Sequence, residues 1–230
     1  MNTAEYLNKW AISYKDDIIN NIMPFWMKYG LDKEHGGVYT CVNRDGSLMD
    51  TTKSVWFQGR FGFIAAYAYN NIEKNPQWLA ASKSCIDFIE AHCFDTDGHM
   101  FFEVTEDGKP LRKRRYVFSE GFAAIAMAEY ALATGEKEYA KKALDIFKRT
   151  LHFLNTPGFL EPKYLPTLPS RGHSITMILI NTASRIRMVI DDPSLTEQID
   201  TSIAALRKYF IHPEFKALLE MVGPDGEFID

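Results

Sequence analysis

Very little in this sequence would hold it in a membrane, on a nucleic acid or in an oxidising compartment. Its three cysteines, Cys41, Cys85 and Cys93, are odd in number and lack metal-type spacing, which suits a reducing cytoplasm and suggests no bound metal. No apolar run reaches the ~18 residues that a membrane span needs, and Met1 to Asp17 is polar and amphipathic, unlike a signal peptide. The net charge of −4 mixes both signs. The one strong basic run, Arg112-Lys113-Arg114-Arg115, reads as a solvated loop, so neither nucleic acid nor an acidic membrane surface is an expected partner. A Walker-type glycine-rich loop is missing as well, and no cofactor is expected.

What is present is apolar and aromatic: 46% of the 230 residues are hydrophobic and 13% aromatic, enough for one sizeable domain over residues 1–230. From Ser54 to Ile72 there is no acidic residue, and almost every side of a helix built on this stretch would be apolar. Such a helix is expected to be buried all round. Arg60, within Trp56-Phe57-Gln58-Gly59-Arg60-Phe61, is therefore the odd residue. It either snorkels or pairs with an acid, or lies at the bottom of a concave, aromatic-lined site.

Along the chain, residues 3–29 have helical periodicity, with Tyr6, Leu7, Trp10, Tyr14 and Ile18 on one stripe and a break or kink expected at Pro24. Gly36-Gly37, a β-prone Val38 to Val42 and Asp45-Gly46 then spell a hairpin. A helix from about Thr52 to Asn71 and a second from about Trp78 to Phe94 follow. The pattern returns: an aromatic β-prone stretch ending in Asp107-Gly108, a helix over about Phe118 to Thr134 stopped by Gly135, and an amphipathic helix over Glu136 to Asn155. Where the next hairpin should stand, Thr156 to Ser170 carries Pro157, Pro162, Pro166 and Pro169 and reads as an extended loop. Helices resume from about Gly172 and Ser194, and Asp225-Gly226 closes a third β-prone segment.

This is a repeat of roughly 60 residues, and the two helix types within it differ. Those from Thr52, Phe118 and Gly172 are poor in acids and suit an inner ring; those from Trp78, Glu136 and Ser194 are charged on one face and suit an outer ring.

Three ordered segments carry a resemblance: Asp32-Lys33-Glu34-His35-Gly36-Gly37, Val55-Trp56-Phe57-Gln58-Gly59-Arg60 and Val117-Phe118-Ser119-Glu120-Gly121-Phe122. With their spacing, they resemble the N-acylglucosamine 2-epimerase family, which includes renin-binding protein, cellobiose 2-epimerases and sugar isomerases. The resemblance implies an all-α fold, an (α/α)6 barrel of helix pairs with short hairpins, incomplete here at about three to four pairs. It also implies a proton transfer at C2 of an opened sugar through an enediol or enediolate, without metal or cofactor, on a small free sugar such as an N-acyl-hexosamine. Arg60 matches the family's pocket arginine, where a guanidinium would stabilise developing charge on the substrate oxygen. Trp56 shares its helix face one turn earlier.

Phe118 and Glu120 fall at pocket positions of the second inner helix. Glu120 also fits an N-terminal acid favoured by the helix dipole, with Ser119 as a cap. His173 and Met177, spaced i, i+4, open the third inner helix; Met177 stands where cellobiose epimerases and sugar isomerases carry a histidine, which leans towards N-acylglucosamine-type substrates. His173 equally fits a capping or core residue. The other five histidines read as structural.

The family's two proton-transfer histidines lie beyond the point that matches Asp230, and neither of their segments occurs here. The chain therefore reads as the N-terminal, sugar-binding part of such an epimerase, inactive alone, with exposed apolar edges that favour aggregation or a homodimer. Two further readings stay open: a helical-repeat carbohydrate-binding or scaffold module, and a glycoside hydrolase on the same fold, for which Glu120 and Glu129 would be the carboxylates.

Overall fold

The computed structural model describes residues 2–113, 116–161 and 164–229. Of the basic run, Arg114 and Arg115 lie outside the described residues, as do Pro162 and Lys163 of the proline-rich loop and the terminal Met1 and Asp230.

Among the described residues, eight α-helices run in order: α1 (Thr3–Asp17), α2 (Met23–Tyr29), α3 (Val55–Asn71), α4 (Pro76–His92), α5 (Phe118–Thr134), α6 (Lys137–Asn155), α7 (Ser174–Ile186) and α8 (Pro193–Ala205). The expected break at Pro24 takes the form of a π-helical turn, Ile18–Ile22, joining α1 to α2. Proline lacks the N–H that an unbroken α-helix would use there. A capping box at Asn2 and Glu5 starts α1. Gly135, at φ 78°, ends α5.

α3, α5 and α7 stand side by side as an inner layer, and α4, α6 and α8 pack outside them. The arc follows from residue size. An added Cβ at Gly62 would lie 3.3 Å from the Ala126 Cβ, and one at Gly121 3.0 Å from Ile178 Cγ1. Small residues thus let the inner helices approach closely, and Ala123, Ala124, Ala126 and Ala128 leave α5 nearly wholly buried between its neighbours. Ile86, Ile89, Ile146 and Phe147 of the outer helices close the core from the other side.

Short antiparallel strands join the layers at one end. β1 (Cys41–Val42) pairs with β2 (Leu48–Asp50). β3 (Lys53–Ser54), β4 (Phe101–Val104) and β5 (Pro110–Lys113) form a three-stranded sheet in that order. β6 (Arg171–Gly172) pairs with the distant β9 (Met221–Val222), and β7 (Ile211–His212) with β8 (Ala217–Leu218). Pairing of Lys53 and Ser54 with β4 delays the start of α3 to Val55, and pairing of Arg171 and Gly172 delays α7 to Ser174. Among the described residues from 156 to 170 there is no helix or strand.

One expectation needs correction. α3 is not buried all round, since Phe57, Arg60, Ile64 and Tyr67 form an exposed stripe. Three inner helices make an arc, not a ring, and that side of α3 borders a recess shared with Met23 and Trp26 of α2. Among the described residues, α1 contains no buried one, so its apolar stripe is left largely exposed. No helix is long and apolar enough to cross a membrane, among the described residues.

Candidate functional site

Arg60 lies on the open stripe of α3 with its guanidinium carbon 4.8 Å from the centroid of the Trp56 ring and 4.5 Å from that of Phe122. Phe57 is a third ring at 5.9 Å. The charge is thus held by aromatic faces, and no carboxylate pairs with it among the described residues. Arg60 is thus exposed, as a snorkelling side chain would be, and stacked on aromatic rings. Phe122 escaped notice as its partner, although it lies one turn after Phe118 on the same face of α5.

The wall is set by backbone anchoring. Gln58 is fully buried; its Oε1 accepts from the Val38 N–H (2.8 Å) and its Nε2 donates to the Val38 carbonyl (2.6 Å), fixing the 36–40 loop to α3. Gly37 takes φ +73°, and a Cβ there would fall 2.5 Å from Gln58 Oε1, so glycine is required. Tyr39, which follows, has its phenol pushed above the ordinary value by burial and then by the negative charge of Asp32.

Three recesses open near the inner helices. Arg60 lines one of about 250 Å³, with Trp26, Phe57, Phe61 and Ile64. Trp56 and Phe118 line a second of about 420 Å³, with Tyr116, Glu161, Tyr164 and Glu220. Trp56 joins the two, since its ring carries the Arg60 guanidinium. His173 and Met177 line the third, also about 420 Å³, with Asn181 and Arg185 of α7 and Met188 just after that helix. Met177 is 52% exposed there. His173 stands at the N-cap of α7 without a side-chain capping bond; its backbone N–H donates to the Glu220 carbonyl, and its ring lies 5.9 Å from that of Phe210.

Glu120 lines none of these. It is 1% exposed, and its Oε1 lies 2.5 Å from His99 Nδ1 while accepting from the Met100 N–H at 2.7 Å. Its place in the structure is to tie the loop before β4 to the first turn of α5. Ser119 does not cap that helix either; its hydroxyl donates to the Phe101 carbonyl. Glu129 is likewise occupied: Asn70 donates to its Oε1, and Arg185 reaches its Oε2 at 3.8 Å. Neither carboxylate faces open space, which removes the pair that a glycoside hydrolase on these residues would need. His35, His92, His99, His152 and His212 line none of the three recesses. No group of three or more histidine, cysteine, aspartate or glutamate residues that could hold a metal occurs among the described residues.

The profile of the N-acylglucosamine 2-epimerase (GlcNAc 2-epimerase) family matches residues 37–218. Among curated proteins, the N-acylglucosamine 2-epimerase of Rattus norvegicus is 29% identical over 217 residues, covering 92% of this chain and 49% of its own length. The protein of that name from Homo sapiens is 30% identical over 188 residues, covering 79% of this chain and 44% of its own. Among solved structures, a cellobiose 2-epimerase from Bacillus thermoamylovorans B4167 superposes with a TM-score of 0.84 at 21% identity, over 96% of this chain and 61% of that one. The fold is thus part of an (α/α)6 barrel, and the chain spans about half the length of the curated relatives it matches.

Proposed function

The chain belongs to the N-acylglucosamine 2-epimerase family, and from that premise we propose that it supplies the sugar-binding part of a 2-epimerase acting on a free N-acyl-hexosamine or a related sugar. The observation that carries this is the Arg60 guanidinium, stacked on Trp56 and Phe122 and free of any carboxylate among the described residues. An arginine already paired with an acid would have little charge to offer. One held on ring faces keeps its N–H donors for a substrate oxygen, where negative charge builds as a C2 proton leaves.

The same reaction needs near-neutral bases on both faces of C2, and imidazoles suit that role. Of the histidines, His173 lines one of the three recesses described, and it does so with Met177, in a different recess from Arg60. Trp56 and Phe118 form the aromatic side of the reading, and His173 and Met177 extend it along α7; Glu120 acts from beneath, through the loop it holds.

Isothermal titration of the 230-residue chain with N-acetylglucosamine is expected to show binding, weakened about tenfold or more in Arg60→Met, the loss typical of a hydrogen bond to a charged donor. Equal affinity in the two proteins would remove Arg60 from the site. The unaltered chain is expected to produce no N-acetylmannosamine from that sugar; detectable conversion would show that two second-half histidines are not required.

Pairing of two copies belongs to the same reading. α1 leaves Leu7 60% and Tyr14 63% exposed, with Trp10 between them. Sedimentation at rising concentration should reveal a dimer; one monomeric species throughout would exclude it.

A further inference from the structure

The place where the repeat breaks is also the place where an aromatic recess is walled. The proline-rich loop after α6 stands where a hairpin is due, and it is pinned at its start: the Phe159 ring stacks on Phe153 of α6 at 4.4 Å and 6°. Glu161 and Tyr164 then face Trp56 and Phe118 across the recess of about 420 Å³, with Tyr116 before α5 and Glu220 beside β9. Three other closures hold that shape. β6 pairs with β9, the His173 N–H donates to the Glu220 carbonyl, and Ser119 ties the start of α5 to Phe101. The volume falls in the range of small-ligand sites, ~300–1,000 Å³. Four rings and two carboxylates are the chemistry of a pyranose site: ring faces cover the C–H side of a sugar, and carboxylate oxygens accept from its hydroxyls.

We infer that Glu161 and Tyr164, which follow α6, form a specificity wall of the sugar site, with Glu161 accepting a hydrogen bond from a sugar hydroxyl and Tyr164 covering a ring face opposite Trp56. This rests on the sugar-binding reading above, and it adds residues to which that reading gave no role. Glu161 is exposed and makes no ion pair among the described residues, so the carboxylate is available to a ligand and its loss should not unfold the chain.

Glu161→Gln, Tyr164→Ala and Tyr164→Phe test it by titration with N-acetylglucosamine, alongside the thermal midpoint of each protein. Glu161→Gln should bind about tenfold more weakly. Tyr164→Ala should lose about three- to tenfold, and Tyr164→Phe, which keeps the ring, should recover most of that loss. All three should melt within about a degree of the unaltered chain. If Glu161→Gln and Tyr164→Ala bind as the unaltered chain does while Arg60→Met does not, the wall is disproved and the sugar-binding reading stands. If the unaltered chain binds no sugar, both fall. Weaker binding by Tyr164→Ala with no recovery in Tyr164→Phe would overturn the stacking role.

Discussion

Lys53→Met should unfold about 3–5 kcal/mol more easily than the unaltered protein in urea or thermal denaturation, the loss expected when one partner of a buried ion pair is removed. Lys53 is fully buried, and its ammonium donates to Asp32 Oδ2 (2.7 Å), the Gly36 carbonyl (2.8 Å) and the Glu106 carbonyl (2.7 Å). All three protons are used. The Phe88 ring lies 4.2 Å away and covers the charge. One side chain therefore ties the turn that begins at Asp32, the turn after β4 and the start of α3. Without it, the buried Asp32 carboxylate loses its close cationic partner and keeps the Glu34 and His35 N–H groups, the Tyr39 phenol and, 3.4 Å from Oδ2, the His35 imidazole.

Adding Asp32→Asn to Lys53→Met should restore part of the loss, because no uncompensated charge then remains. Equal losses in the single and double variants would mean that Lys53 contributes packing, not charge. The pH dependence has a definite sign. Burial alone would raise the Asp32 carboxyl, but the Lys53 hydrogen bond and the two backbone N–H groups hold it below its ordinary value of 3.8. Its contribution is therefore complete above that value and is lost as pH falls through the lower folded-state value. In Lys53→Met that acid limb should move to higher pH.

Gly59→Ala should cost about 2 kcal/mol of stability, even though alanine is the better helix former by ~1 kcal/mol. A Cβ at position 59 would fall 2.6 Å from the Phe122 carbonyl carbon and 2.7 Å from the Ala123 nitrogen. Both are backbone atoms and cannot rotate aside, so α3 and α5 must separate. The functional effect should be larger than the stability loss implies, because Arg60 lies on the next residue and relies on Phe122 across that crossing. A folded Gly59→Ala protein is expected to lose most of its sugar affinity. Gly62→Ala is the control: its nearest new contacts are the Ala126 and Cys85 Cβ atoms, both at 3.3 Å, and it should cost less and leave binding near normal. Similar behaviour of the two variants would show that close approach at Gly59 does not position Arg60.

The sequence by itself determined the helix pairs, the inner and outer types, the hairpin turns and the family, because each rests on local periodicity or on short motifs. An acid-poor helix such as α3 and a stripe such as that of α6 are legible wherever they pack, and Asp45-Gly46 and Asp107-Gly108 turn whatever lies across from them. Tertiary structure decided the rest. Only the arc shows that Arg60 rests on Phe122, 62 positions along the chain, with its stripe open on one side. Nothing within 21 residues of sequence announces that Glu120 meets His99, or that Lys53 closes on Asp32 and Glu106. A polar side chain in an apolar surrounding must find a partner, but which partner is set by how helices and turns distant in sequence come to rest against one another.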